Sequence, residues 1–389
     1  MTVGDWHLPW QGEQIPHAVL DLLRGCNITC RACYNTEPAN VKSLDEVRQE
    51  LQVLTARRRL DSISLLGGEP TLHPRLCDIV HMIKTKGISV ELFTNGLLLE
   101  PALLAELRRA GTDLVFLHID SHQTRPDLGD GWTADGLREL RARRAAAVAA
   151  AGMEVGLTMT AYEDALPEID EAVRFVLASP HVDYLLATLF RDVPAMGAVV
   201  GDLDVGMRAV RPPVVLAAQH DRLTNEMVCA RLAKQFGLRP FANLGSSRDP
   251  DDPRWVSYLA GSLLSEGETP FWTGLRVSAA ERLFLAVYRF LRRRYPFYIP
   301  QSPGRFRLQL LLNAVTGGVA RGNLALLIGS LKKGSNLRAK RLLLQCPAEV
   351  AGDGTIVHCA GCPDATIRHG HLVPLCISDQ IIACPRCQE

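Results

Sequence analysis

The sequence lacks the kinds of segment that carry a chain into or across a membrane. Its opening, MTVGDWHLPWQGEQIP, has neither a basic start nor a continuous apolar run, so we expect no secretory signal and a cytoplasmic protein. The longest apolar region, LQLLLNAVTGGVARGNLALLIG, is interrupted by Asn313, Arg321, Asn323 and two glycines, which argues against a membrane span. Because disulfides are disfavoured in a reducing cytoplasm, the closely spaced cysteines among the eleven indicate metal or redox roles, whereas Cys77 and Cys229, on predicted helices, are expected to be buried apolar residues.

Acidic residues are missing from one long segment. Residues 282–341 contain thirteen Lys or Arg and no Asp or Glu, and since the net charge is +1, the rest of the chain carries −12. One interpretation is a helical subdomain with solvated arginines, and a second is an amphipathic surface on anionic lipid at the inner face of the membrane. A nucleic-acid surface is a third interpretation. Aliphatic runs, more than stacking aromatics, lie between the cations, so we rank lipid above nucleic acid and expect no nucleic-acid partner, while the helical subdomain with solvated arginines stays an open alternative.

The first half of the chain alternates two patterns. Short apolar or β-branched runs, such as SISLL and LVFLHID, alternate with stretches of helical periodicity. The helical stretches are 44–58, 76–86, 103–110 and 134–151. This order predicts an α/β fold, a partial barrel of six βα units over residues 1–190. We expect residues 191–345 to be a mainly helical, basic region that selects substrate or faces a membrane, and residues 346–389 to be a small cysteine-rich metal-cluster domain.

Three cysteines follow the first predicted strand, in LLRGCNITCRACYN. Cys26, Cys30 and Cys33, here called the cysteine triplet, fall on a predicted loop at the carboxyl end of that strand, where active sites of parallel α/β folds gather. Three thiolates on one loop can bind three irons of a [4Fe-4S] cube and leave the fourth iron open to an outside ligand. The alternative is a zinc site completed by a distant residue, although the nearest downstream histidine, His73, lies in another loop.

The cysteine triplet, with Tyr34 directly after it, resembles the signature of the radical SAM superfamily. This resemblance implies that the open iron binds S-adenosylmethionine (SAM) and that SAM is cleaved reductively to a deoxyadenosyl radical. In the next loop, LLGGEPTLHP, the residues Gly67, Gly68, Glu69 and Pro70 resemble the motif that contacts the methionine amino group in that superfamily. Two glycines after a strand also suit a bare turn without any ligand, and that alternative stays open for the pair alone.

Polar residues follow the third and fourth strands as well. Thr94 and Asn95, and then Asp120 and Ser121, stand where the resemblance implies contacts with SAM. Ordinary capping of strand ends and helix starts by such residues is an equal alternative. His118 and His122 are candidate acids or bases, but a lone histidine is more often simply hydrogen-bonded in place, and we assign no catalytic residue.

The tail carries six cysteines in a short region that is too small to be held together by apolar burial alone. They are Cys346, Cys359, Cys362, Cys376, Cys384 and Cys387. One arrangement is a cubic cluster on the first four, with the last two in a second site, and the alternative is one or two zinc knuckles. The stretch CAGCPDATIRHGHLVPLC resembles the SPASM and twitch extensions of radical SAM enzymes, which implies one or two auxiliary iron–sulfur clusters, although its number and spacing of cysteines depart from the full SPASM pattern.

Within that superfamily the chain looks most like the group of tetraether lipid synthase and the pterin methyltransferase-like proteins. The resemblance implies hydrogen abstraction from an unactivated carbon of a lipid or other long apolar substrate, ending in C–C bond formation or methylation. It also implies a reducing partner such as flavodoxin or ferredoxin. The alternatives are a SPASM-type peptide maturase and a non-catalytic adaptor that binds iron–sulfur clusters or zinc.

Overall fold

The computed structural model describes residues 6–33, 40–129, 132–191, 207–209, 223–350, 356–368 and 370–383. Its strands are, in chain order, β1 (His17–Asp21), β2 (Thr29–Cys30), β3 (Ser62–Leu66), β4 (Ser89–Thr94), β5 (Leu114–His118), β6 (Gln123–Thr124), β7 (Glu154–Ala161), β8 (Val182–Leu189), β9 (Met207–Ala209), β10 (Ala242–Gly245), β11 (Pro253–Leu264), β12 (Phe271–Gly274), β13 (Asn336–Gln345), β14 (Glu349–Val350), β15 (Ile356–Val357), β16 (Ala365–Arg368), β17 (His371–Pro374) and β18 (Ile381–Ala383). The α-helices are α1 (Leu44–Arg57), α2 (Leu76–Lys84), α3 (Pro101–Ala110), α4 (Ala134–Ala150), α5 (Leu166–Ala178), α6 (Asn225–Phe236), α7 (Ala279–Arg292), α8 (Pro303–Val315) and α9 (Ala320–Gly329).

One mainly parallel sheet organises the molecule. Its first six strands pair in parallel in the order β1-β3-β4-β5-β7-β8, with a helix after most of them. The four helices predicted in this half match α1 to α4 within two residues at each end. The α/β fold with six parallel βα-type strands is therefore confirmed.

Local sequence signals set the helix boundaries. In α1, Ser43 and Glu46 form a reciprocal capping box, in which the Ser43 backbone N–H donates to Glu46 Oε2 over 2.7 Å. The spacing of Val47, Leu51 and Leu54 places all three on one face of this helix, and all three are buried against the sheet. The apolar core lies between the sheet and its helices for this reason.

The sheet continues beyond the six-stranded unit. Strand β13 pairs in parallel with β8 and antiparallel with β11, and β11 pairs antiparallel with β10 and β12. Residues 191–345 were expected to be mainly helical, but besides α6 to α9 they contribute these strands. At the junction, the fully buried Lys340 ammonium donates to Asp183 Oδ1 over 3.1 Å and to two backbone carbonyls. A buried ion pair thus joins the two parts of the sheet.

The inner face of the first strands is polar. The His17 ring nitrogens lie 2.7 Å from Ser62 Oγ and 3.1 Å from Ser64 Oγ, and Ser64 donates to Glu91 Oε2 over 3.3 Å. His17 Nε2 also lies 3.7 Å from Asp364, which comes from the tail. Burial raises the pKa of Glu91 to about 8, and burial followed by the nearby Arg58 lowers the pKa of His17 to about 3. At neutral pH this network is therefore largely uncharged apart from the tail carboxyl.

In the part of the chain that the structure describes, every helix is too short or too polar to cross a bilayer.

Candidate functional site

The carboxyl ends of β3 and β4 are joined by one carboxylate, that of Glu69. Its Oε1 accepts hydrogen bonds from Thr94 Oγ1 over 2.6 Å and from Thr71 Oγ1 over 2.5 Å, and its Oε2 accepts from the Asn95 N–H over 2.7 Å. Glu69 is only 1% exposed. These contacts occupy both oxygens, so in this structure Glu69 fixes the relative positions of two strand ends.

Gly67 and Gly68 are needed for a close approach between two loops. A Cβ atom on Gly68 would lie 2.0 Å from the Gly25 carbonyl oxygen, and one on Gly67, whose φ is +145°, would lie 2.4 Å from the Leu23 oxygen. The Gly68 and Glu69 N–H groups donate to those same two segments, to Leu23 O over 2.7 Å and to Gly25 O over 2.8 Å. The glycines therefore clamp the end of β3 to the loop that carries the cysteine triplet.

The other side of the cysteine loop is attached to the end of β5. Strands β2 and β6 pair so that Cys30 faces Gln123, and the Arg31 N–H donates to the His122 carbonyl over 3.0 Å. From the side of β4, Asn95 Nδ2 donates to Asn27 Oδ1 over 2.6 Å. Three strand ends thus hold the cysteine loop over the carboxyl edge of the sheet.

The three thiols of the triplet lie within electrostatic reach of one another. Burial, followed by the charges of Asp120, Cys33 and Cys26, raises the pKa of Cys30 to about 12. Its thiolate therefore needs a cationic partner, which an iron cluster supplies. Across the described residues, no three Cys, His, Asp or Glu side chains are already arranged around a single metal ion. A cube binds each thiolate through a different iron, and the all-thiol donor set of the triplet fits that chemistry.

Asp120 is a buried anion beneath this loop. It lies 3.0 Å from His118 Nε2 and accepts from the backbone N–H groups of His122 over 3.0 Å and Thr160 over 3.3 Å. Burial by itself raises the pKa of this carboxyl, but the His118 charge and these hydrogen bonds outweigh it and lower the pKa to about 2. The next residue, Ser121, donates its hydroxyl to the Glu168 carboxylate.

The predicted SAM-contact residues thus lie along one edge of the sheet, and their roles toward SAM stay predictions. Pro70 is buried at the start of a short 3₁₀ turn, Pro70–Leu72. Tyr34 lies outside the described residues. Sequence reasoning missed Arg125, which is buried and donates to Asn95 O over 2.9 Å and to His118 O over 3.2 Å. A cation seven residues after the end of β5, in DSHQTRPD, was the available signal.

Four tail cysteines fall in one region. Cys359 and Cys362 are buried together against Leu244 and Trp255. The Cys359 contact and burial raise the pKa of Cys362 well above its usual value, and burial and then Cys362 raise the pKa of Cys376 to about 12. This donor set again suits a metal centre more than free thiolates. Cys384 and Cys387 lie outside the described residues.

Cys346 differs from its neighbours because two guanidinium groups face its sulfur. Arg191 Nη2 donates to Cys346 Sγ over 3.3 Å, and Arg254 Nη1 lies 3.5 Å from the same atom. Glu349 pairs with both arginines, at 3.3 Å and 2.6 Å. Cys359 Sγ lies 4.0 Å from the Cys346 carbonyl oxygen, so Cys346 remains next to the other tail cysteines.

The tail docks on β1, the edge strand that leads into the cysteine loop. Buried Arg58 donates to the carbonyls of His17 over 2.7 Å, Cys362 over 2.9 Å and Pro363 over 3.1 Å. At the other end of β1, the Asp21 carboxylate pairs with Arg24 over 2.8 Å and with Arg368 of the tail. One strand therefore supports both cysteine groups.

Comparison with known families places these motifs in one domain. The radical SAM superfamily matches residues 20–176. Those residues form a radical SAM domain. The match runs from the last two residues of β1 through nearly all of α5, and it includes the cysteine triplet and each of the four strand ends described above. The cofactors of this superfamily are SAM and a [4Fe-4S] cluster.

Individual relatives match over the same part of the chain. The tungsten-containing aldehyde ferredoxin oxidoreductase cofactor-modifying protein of Pyrococcus furiosus is 29% identical over 163 residues, which are 39% of this chain and 46% of that one. The GTP 3',8-cyclase of Chlorobaculum tepidum is 35% identical over 28% of this chain and 34% of its own length. Among solved structures, SuiB of Streptococcus suis bound to S-adenosylmethionine is 18% identical, with a TM-score of 0.37 over 46% of this chain and 42% of that one. The chain thus spans less than half the length of these relatives.

Proposed function

We propose that this protein is a radical SAM enzyme whose cysteine triplet ligates the catalytic [4Fe-4S] cluster. When bound, that cluster supplies one electron that cleaves SAM into methionine and a deoxyadenosyl radical, which takes a hydrogen atom from an unactivated carbon. The observation that carries this proposal is the all-thiol loop held at the carboxyl edge of a radical SAM domain. A one-electron reductant such as flavodoxin or ferredoxin is the expected partner.

The chain's own residues have defined tasks in this proposal. Gly67 and Gly68 hold the cysteine loop against the sheet, and Glu69 holds the ends of β3 and β4 in register. Asp120 keeps a fixed negative charge beneath the loop, and because both of its oxygens are hydrogen-bonded it links the ends of β5 and β7. Because Glu69 is hydrogen-bonded through both oxygens, we assign it to positioning the SAM site.

We also propose an auxiliary cluster in the tail, with Cys346, Cys359, Cys362 and Cys376 as its ligands. Support comes from their grouping and from the docking of the tail on β1 through Arg58. An electron acceptor or donor at this position suits reactions that end in oxidation or bond formation. Cys384 and Cys387 are candidates for a second site.

The proposed substrate is a lipid or other long apolar molecule, and the products are those of C–C bond formation or methylation, as in the tetraether lipid synthase and pterin methyltransferase-like group. We propose peripheral contact of segment 282–341 with the inner face of the membrane as the route to it. Support comes from the charge of that segment and from the exposed apolar side chains on its helices.

The test measures deoxyadenosine released by anaerobically reconstituted, reduced protein, with and without a membrane lipid extract. We expect release that lipid stimulates, loss of release in Cys30→Ser, and unchanged release in Cys77→Ser, a half-buried cysteine on α2. S-adenosylhomocysteine alongside deoxyadenosine would indicate methyl transfer. Turnover that ignores lipid would overturn the substrate proposal in favour of a peptide or soluble metabolite, and loaded protein without turnover would favour the adaptor.

A further inference from the structure

Exposed apolar side chains are concentrated on three consecutive helices. In the described residues, twelve of the eighteen exposed large apolar side chains lie between residues 283 and 331, on α7, α8, α9 and the residue pair after α9. They are Leu283, Phe284, Val287, Phe290, Leu291, Leu308, Leu311, Leu312, Val315, Leu324, Ile328 and Leu331, here called the apolar face. Phe290 is 81% exposed and Val315 is 77% exposed, values unusual for such residues in water.

The same helices turn polar side chains inward. Asn313 and Asn323 are 0% exposed and Glu281 is 7% exposed. Asn313 Nδ2 donates to Glu281 Oε1 over 2.9 Å, and Asn323 Nδ2 donates to Asn313 Oδ1 over 2.7 Å. This buried network links α7, α8 and α9 in a fixed arrangement. The three helices therefore bury polar side chains and expose apolar ones, which is the reverse of the usual arrangement in water.

Exposed cations lie on, or directly after, the same helices as the apolar face. Of the thirteen Lys and Arg residues in 282–341, eight are exposed, and the other five are partly or fully buried. The exposed ones are Arg282, Arg289, Arg292, Arg293, Arg305, Arg321, Lys332 and Lys333. The buried or half-buried ones have internal partners, as in the pairs of Arg338 and Lys340 with Asp183. The charge left on the surface is thus entirely positive over this segment.

We propose that the apolar face docks on an anionic lipid bilayer, with its exposed cations at the phosphate level. This inference rests on the proposed lipid route and names the surface that serves it. An anionic bilayer offers apolar depth and negative charge together, which matches this face on both counts. A second copy of the chain would instead bring two sets of exposed cations against each other, and like charges at an interface oppose association.

The test is flotation of purified protein with phosphatidylcholine vesicles, with and without phosphatidylglycerol, at low and high salt. We expect binding that requires phosphatidylglycerol and weakens with salt. Phe290→Ser/Leu291→Ser, on the apolar face, and Lys332→Gln/Lys333→Gln, just after α9, should each weaken it by roughly tenfold or more. Met227→Ser replaces an exposed apolar residue on α6, outside the apolar face and 43% exposed, and should bind as the wild type does.

Three outcomes would overturn the proposal: no binding to anionic vesicles, binding that both double variants retain, or an oligomer in solution that Phe290→Ser/Leu291→Ser converts to monomer. The last would assign the face to a second copy. Because flotation needs neither SAM nor a reductant, binding by a protein that releases no deoxyadenosine would separate failure of the enzymatic proposal from failure of this one.

Discussion

Gly68→Ala tests the clamp between the end of β3 and the loop that carries the cysteine triplet. The new Cβ would lie 2.0 Å from Gly25 O and 2.7 Å from Arg24 O, both backbone atoms that no side-chain rotation can move aside. The two hydrogen bonds that close this contact, each worth about 1 kcal/mol, would be stretched or lost, and overpacking adds about 1–3 kcal/mol. We expect a loss of about 3–5 kcal/mol if the loop stays in place, or separation of the loop from the sheet at lower cost.

Two assays distinguish these responses. Urea unfolding measures the stability loss, and iron content after anaerobic reconstitution measures whether the cysteine loop still assembles a cluster. Gly25→Ala is the matched control. Gly25 lies on the opposite side of the same contact, but a Cβ atom added there would meet nothing within 4 Å. Wild-type stability together with wild-type iron content in Gly68→Ala would refute the clamp, and equal damage in Gly25→Ala would show only that the loop tolerates no added atom.

Three further predictions concern buried charges. Asp183→Asn leaves the buried Lys340 ammonium without its carboxylate and should lower the free energy of unfolding, measured in urea, by about 3–5 kcal/mol. Adding Lys340→Met should recover part of that loss. Near-wild-type stability of Asp183→Asn alone would contradict this prediction. Glu91 keeps its proton in the folded state up to about pH 8 but loses it near pH 4.5 when unfolded. As the pH rises between those values, the stability of the wild type should therefore fall relative to that of Glu91→Gln by up to about 1.4 kcal/mol per pH unit. Parallel pH profiles of stability for the two proteins would contradict this prediction. Arg254→Gln removes a positive charge beside Cys346 Sγ and should lower the reduction potential of the proposed auxiliary cluster. The potential is measured by a redox titration followed by electron paramagnetic resonance, and an unchanged potential would exclude that influence.

The placement of the candidate site residues at one edge of the sheet was predictable because the signals for it are local. The cysteine spacing, the GGEP loop and the polar residues after β4 and β5 are readable in short windows, and parallel strands bring such windows to one edge. The helix boundaries were predictable for the same reason, as the capping box of α1 shows. The strands within residues 191–345 were missed because β11 and β13 are stabilised by pairing with each other across about eighty residues of chain.

The reactive groups of this protein can be read directly from its amino-acid sequence: three thiols on one loop, two glycines after a strand, and a segment of one charge sign. The contacts that these groups make became visible in the folded chain. Gly68 packs against the backbone of Gly25, and both carboxylate oxygens of Glu69 accept hydrogen bonds from neighbouring residues. Asn313, which in the sequence only interrupts an apolar run, is buried and hydrogen-bonded to Glu281. Burial and hydrogen-bond partners depend on which distant parts of the chain pack against a residue, and no local pattern records that.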